Sequence, residues 1–226
     1  PNSYQANDDD RKISSKVYSR IDQDLPDNSF IFCCFNNTYK ITPGIFDIWM
    51  RILNSVQNSV LWLLESNEHS TVNLKKEALK RGVNENRIIF AKRLSIDEHL
   101  SRHRLADLFL DTIPYNAHTT ASDALWSGVP VLTFLGSTFP GRVSSSLLHA
   151  IGLPELIAPS LTEYETMAID LAKNPHKLST IRLKLQENSK IFPLFNSNLY
   201  TQNLEAAYKK MYEIYSSDMP PESFCV

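Results

Sequence analysis

The chain has 226 residues, 42% of them hydrophobic, and 23 Lys and Arg against 25 Asp and Glu leave a formal charge of −2. That length and apolar share suffice for one large buried core, and the dispersed, near-neutral charge gives neither nucleic acid nor an anionic membrane an electrostatic reason to bind. No apolar run approaches the about 18 residues of a membrane span, and no charged-then-apolar signal segment opens the chain. Its three cysteines, adjacent Cys33 and Cys34 and near-terminal Cys225, form neither a disulfide framework nor a CxxC pair, so a reducing, cytoplasmic compartment is expected.

Residues 1–28 are polar and broken by prolines, which predicts a linker or surface-hugging arm; opening on Pro1 rather than Met, the chain reads as a cut-out from something longer. The run Asp8–Asp10 is expected to be a solvated face, not a metal site. From Phe30 onward, short apolar runs alternate with longer amphipathic segments. Strands are predicted at Phe30–Phe35, Val60–Leu64, Arg87–Phe90, Leu108–Asp111, Val131–Phe134 and Leu156–Ile157. Thr42 before Pro43 predicts an N-cap with proline in the first helical position. A helix "NLKKEALKR" is expected to stop at Gly82, and "SIDE" (95–98) and "SLTE" (160–163) have capping-box spacing. Trp49, Trp62 and Trp126 fall at positions expected to be buried. From about residue 161 the strands cease and three helical segments follow.

Near-continuous apolar strands separated by helices require a parallel sheet covered on both faces, hence a doubly wound α/β fold with C-terminal helices. In the commonest order of such sheets, 3-2-1-4-5-6, strands one and four are neighbours and their carboxyl ends form the ligand crevice. The segments that follow those strands, "FNNTYK" and "DTIPYNAHTT", would therefore meet there. "HTTASD" opens a helix, so unpaired backbone N–H groups and the positive helix end would face the crevice, joined by the Thr119 and Thr120 hydroxyls and Lys40. Each feature alone has a plainer reading, with a threonine as N-cap, Asp123 closing the turn and His118 as a loop histidine. Their convergence predicts an anion site. His99 and His103 share a helix face, but no HExxH base or third ligand accompanies them, and His99 is instead expected to overhang the crevice beside a nucleobase.

The segments "FCCFNNTYKITPGIFDIWMRIL", "SVLWLLE", "NRIIFAKRLSIDEHLSRHRLADLFLDTIPYNAHTTASDALWSGVPVLT" and "FPLFNSNLYTQNLEAAY" resemble the C-terminal catalytic lobe of the O-linked N-acetylglucosamine transferase family, which includes SPINDLY-like bacterial proteins with tetratricopeptide (TPR) repeats. The resemblance covers about residues 1–215. It implies a Rossmann-like lobe of a GT-B glycosyltransferase at residues 29–215, a linker from a missing N-terminal lobe at 1–28, and a tail at 216–226. By the same resemblance the lobe binds a UDP-sugar without metal or other cofactor: Lys40, His118, Thr119 and Thr120 at the diphosphate, Asp123 at the ribose, His99 against uracil, and Arg102 supporting the base. Asn37 stands where the animal enzymes carry glutamine, Tyr115 where a cysteine lies beside the sugar, and Ile96 where a lysine approaches the base, so Asn37 and Tyr115 complete the expected donor site. No catalytic residue is expected in this stretch. The general base, the protein-acceptor groove and the repeats that recruit protein acceptors would lie in the missing N-terminal regions. The expected reaction is inverting transfer of N-acetylglucosamine to protein Ser or Thr, with the isolated stretch doing little chemistry. The alternatives are a GDP-fucose-type O-fucosyltransferase like the plant SPINDLY relatives, another GT-B enzyme such as a sugar-nucleotide epimerase, or a non-enzymatic interaction module.

Overall fold

The computed structural model describes residue 3 and residues 6–226; residues 1, 2, 4 and 5 of the expected arm lie outside the described residues. Six parallel strands, β1 Phe30–Cys34, β2 Ser59–Leu64, β3 Ile88–Ala91, β4 Leu108–Leu110, β5 Val131–Phe134 and β6 Ile157–Ala158, form one sheet in the order β3-β2-β1-β4-β5-β6. This is the predicted doubly wound order.

Helices α1 Pro43–Ser55, α2 Glu68–Lys80, α3 Ile96–His103, α4 Thr119–Trp126, α5 Val143–Ala150, α6 Leu161–Lys173, α7 Pro175–Ile191 and α8 Ser197–Ser216 complete the domain. Because the chain winds outward in two directions from the β1/β4 pair, right-handed crossovers put α1 and α2 on one face and α3, α4 and α5 on the other. The packing of α1 on α6, and of α4 on α3, α5 and α7, follows that division. Central strands covered on both sides have no wet face. Ile31, Phe32, Cys33 and Cys34 of β1 and all of β4 are accordingly buried, and burial pushes both thiols of β1 far above the ordinary cysteine range.

Local chemistry sets most element ends. Thr42 caps α1 by accepting from Ile45 N at 3.4 Å, and Gly82, at φ +75°, takes the left-handed position just past α2. Ser160 accepts from Glu163 N at 3.1 Å while its hydroxyl donates to the Glu163 carboxylate at 3.1 Å, as the "SLTE" spacing predicts. Several expectations need correction. Helix α2 begins at Glu68 rather than near Asn73, because Asn67 caps it by accepting from Ser70 N. Ser95 makes no side-chain capping bond, and Glu98 pairs with Lys16 at 3.0 Å. Phe35, Arg87, Asp111 and Leu156 fall just outside the strands assigned to them, Arg87 and Leu156 sitting in short 3-10 turns. Trp49 and Trp62 are fully buried, whereas Trp126 is half-buried, reaching outward to donate to Arg11 O at 3.2 Å.

The described part of the arm hugs the surface: Asp8–Asp10 are exposed, as expected of that run, while Asn7 and Leu25 are buried. Ser122 donates to Asn7 Oδ1 at 2.5 Å and Ser101 to Lys16 O at 2.6 Å, Ser14 N donates to Asp97 O at 3.1 Å, and Ser197 donates to Asp9 at 2.7 Å. The extended segment thereby straps α3, α4 and the start of α8.

Candidate functional site

The carboxyl ends of β1 and β4 open on a cleft of about 310 Å³ lined by Asn36, Asn37, Tyr39, Lys40, Tyr115, His118, Thr119 and Thr120. It lies at the switch point between strands that wind in opposite directions, where open α/β sheets leave a crevice. Lys40 ends the 3-10 turn Thr38–Lys40 that follows β1, so the turn carries its side chain over the cleft. Its ammonium donates to Asn116 O at 2.8 Å and sits 4.1 Å from the centroid of Tyr115, leaving two of its three donors for a ligand. Partial burial lowers the Lys40 pKa, opposed by the negative charge of Asp111. Among the described residues no carboxylate lines the cleft, so Lys40 is the charged group at its wall.

The opposite wall is the start of α4. The first bonds into this helix run from Ala121 N and Ser122 N to His118 O, both 3.1 Å, so the amides of Thr119 and Thr120 precede the ladder and add donors at the positive helix end. His118 is itself the N-cap residue, in place of a threonine, and it caps without a side-chain hydrogen bond. Its Nε2 lies 3.4 Å from Pro140 O, which assigns the proton to Nε2, and its ring stacks on Tyr115 with centroids 5.1 Å apart. Burial holds the His118 pKa below its usual value, so the ring is neutral near pH 7.

A buried polar network, not visible in the sequence, holds these walls. Fully buried Asp111 accepts from Thr112 N at 2.8 Å, Ala117 N at 2.6 Å and Thr133 Oγ1 at 2.6 Å, which pins both ends of the loop that follows β4. Buried Asn36 donates to Thr112 Oγ1 at 2.7 Å, and that hydroxyl donates onward to Tyr115 O at 2.7 Å. Thr120 donates its hydroxyl to Asn36 Oδ1. Thr120 therefore offers a ligand its backbone amide but not its hydroxyl hydrogen, which corrects the expectation that both threonine hydroxyls serve as donors; the exposed Thr119 hydroxyl keeps that role. Asn36 and Tyr39 are lining residues that sequence reasoning missed. Their signal was present, since each lies within five residues of the end of a buried strand.

Of the expected site residues, Asn37, Lys40, Tyr115, His118, Thr119 and Thr120 come together in the cleft, while His99, Arg102 and Asp123 do not line it. His99 and Arg102 form an adjoining cluster around Phe35, the residue before Asn36, with ring centroids of Phe35 and His99 5.0 Å apart. Arg102 is almost fully buried and donates to Lys92 O at 2.5 Å and to His99 Nδ1 at 3.0 and 2.7 Å. Those donors leave the proton of His99 on Nε2. Burial, together with the neighbouring His103, Arg102 and Arg11, pushes the His99 pKa down to about 2. His103 turns Nδ1 toward His99 O at 2.7 Å, so the two imidazoles do not converge their nitrogens on a common point. Asp123, expected to face a ribose or to close the helix turn, is buried and paired with Arg11 of the arm at 2.6 Å.

The sequence profile described as glycosyl transferase family 41 matches residues 2–204. The chain belongs to that family. Similar sequences include the UDP-N-acetylglucosamine–peptide N-acetylglucosaminyltransferase of Caenorhabditis elegans, 37% identical over 202 residues, and the probable UDP-N-acetylglucosamine–peptide N-acetylglucosaminyltransferase SEC of Arabidopsis thaliana, 38% identical over 226 residues. These alignments cover 89% and 100% of this chain but 18% and 23% of those proteins, so the chain spans about a fifth of the length of the curated relatives it matches. A solved mutant O-GlcNAc transferase of Thermobaculum terrenum superposes with a TM-score of 0.78 at 31% identity, covering 81% of this chain and 36% of that one. The sheet described above is thus the α/β lobe of a family-41 glycosyltransferase of GT-B architecture. Among the described residues no helix is long and apolar enough to cross a membrane.

Proposed function

We propose that the Lys40–α4 cleft receives the diphosphate of a UDP-sugar, and that residues 29–215 are the donor-binding half of an inverting glycosyltransferase that transfers N-acetylglucosamine to Ser or Thr hydroxyls of proteins. The observation that carries this reading is the convergence of one free-handed lysine and one helix N-terminus on a cleft that, among the described residues, no carboxylate lines. In such a transfer the acceptor oxygen attacks the anomeric carbon, the bond to the β-phosphate oxygen breaks, and the negative charge growing on the departing diphosphate is met by Lys40 and the amides of Thr119 and Thr120. These groups supply the stabilisation without a divalent ion. His118 contributes a neutral ring beside the phosphate, and Asn37 and Tyr115 border the sugar end of the cleft. The nucleoside extends from the cleft toward His99, which offers Nε2–H and a ring face to the uracil, with Arg102 behind it fixing that tautomer, while Asp123 accepts from the ribose. The proton of the acceptor hydroxyl passes to a base outside this chain, and the protein acceptor binds through regions to which residues 1–28 lead. The names of the similar proteins support the donor and the acceptor class.

Calorimetric titration with UDP and with GDP, without added metal, tests the reading. UDP is expected to bind, and Lys40→Met to weaken it about 10- to 100-fold, the loss of a charge-assisted phosphate contact. Preference for GDP would move the donor to a guanine nucleotide sugar such as GDP-fucose. Failure of both nucleotides at millimolar concentration would overturn the cleft as a diphosphate site.

A further inference from the structure

Asp123 lies one helical turn after Thr119, on the same face of α4, behind the helix start that walls the cleft, although it does not itself line the cleft. It is 7% exposed, and Arg11 is its ion-pair partner, Nη1 to Oδ1 at 2.6 Å. The arm is anchored around this contact: Trp126 Nε1 donates to the carbonyl of Arg11, and Ser122, beside Asp123, donates to Asn7. Among the described residues Asp123 has no second cation, and no hydrogen bond to its Oδ2 is formed. The guanidinium is also near enough to the α3 cluster for its charge to disfavour protonation of His99 and His103. Burial raises the Asp123 pKa and the Arg11 guanidinium opposes that rise in part; with one oxygen clamped by Arg11, the carboxylate is oriented to accept hydroxyl hydrogens at the other.

We infer that Arg11 is a positioning residue of the nucleoside half of the donor site: by clamping Oδ1 of Asp123 it leaves Oδ2 fixed to accept from the ribose of the nucleotide. The inference rests on the donor reading above, and it gives the arm a part in nucleotide recognition that its polar, proline-broken sequence does not suggest. Arg11 does not touch the ligand; it acts through Asp123.

The test compares UDP, 2′-deoxy-UDP and inorganic diphosphate on the wild-type chain, on Arg11→Met and on Arg11→Lys. Wild type is expected to prefer UDP over the deoxy analogue by about 10-fold, the scale of one hydrogen bond to a charged acceptor. In Arg11→Met that preference should fall below about 2-fold, with Arg11→Lys restoring part of it, while inorganic diphosphate binds all three within about 2-fold because Lys40 and the start of α4 are untouched. Retention of the ribose preference in Arg11→Met overturns the inference, as does tighter UDP binding, which would make Arg11 a competitor for Asp123. Loss of diphosphate binding in the same variant would reduce Arg11 to a structural strap and also overturn it. A wild-type chain that binds UDP and its deoxy analogue equally removes the role of Asp123, whereas one that binds no UDP refutes the donor reading itself.

Discussion

Asp111 should make the stability of this domain fall as pH rises from acid to neutral. The carboxyl is completely buried at the end of β4, and burial pushes its pKa up to about 6 although hydrogen bonds from Thr133, Ala117 and Thr112 oppose the shift. An unfolded aspartate titrates near about 3.9. Through the window between those values the folded chain holds a proton that the unfolded chain has lost. The stabilisation linked to that proton is full below about pH 4 and is lost as pH rises through about 6, about 3 kcal/mol in all. Asp111→Asn removes the titration while keeping the volume; the amide oxygen still accepts from Thr112 N and Ala117 N, and Thr133 has to turn its hydroxyl to accept from the new amide. Urea unfolding of both proteins between about pH 5 and 7 should show the variant gaining roughly 1 kcal/mol on wild type across that interval. A stability difference that stays constant with pH would show that Asp111 carries no proton in that window and would refute this account of the loop.

Two further changes probe the scaffold behind the cleft. Tyr164 bridges Trp49 Nε1, which donates to its hydroxyl at 3.2 Å, and Asp111 O, which accepts from it at 3.0 Å, so Tyr164→Phe should cost about 1–3 kcal/mol in chemical denaturation by stranding both buried partners. Gly152 sits at φ +71°, and a Cβ there would stand 2.5 Å from Cζ of Phe192 and 2.8 Å from Nδ2 of Asn188. Gly152→Ala combines a left-handed backbone with overpacking, and a loss of about 2–4 kcal/mol in the same assay is expected.

The sheet was legible because strands buried on both faces must be apolar throughout, and the winding order followed from the commonest arrangement of such strands. Strand ends were less so: Phe35 and Asp111 continue the apolar or alternating pattern but lie beyond the last ladder pairing, where the chain turns to build the cleft. The arm was expected as a linker or a surface-hugging segment, but its anchoring contacts were not legible. An extended segment held by isolated hydrogen bonds to α3, α4 and α8 has no period, so composition gives no sign of which residues, such as Asn7 and Arg11, anchor it. The same lack of local signal hid the pairing of Arg11 with Asp123, which the sequence separates by most of the domain.

In "FNNTYK" and "DTIPYNAHTT" the sequence singled out Lys40, His118, Thr119 and Thr120, and the structure divides the polar residues by what remains unspent. Asn36 uses both ends of its amide, on Thr112 and Thr120, and Thr112 spends its hydroxyl hydrogen on Tyr115 O. Asp111 accepts three hydrogen bonds from Thr112, Ala117 and Thr133 with no water access. These groups fix the walls and can do little else. Lys40, by contrast, gives one donor to Asn116 and keeps two, while Thr119 and the leading amides of α4 stand before the helix ladder begins. Rigid neighbours with no spare capacity, set behind a few groups that retain theirs, are what lets a cleft meet an anion without first rearranging.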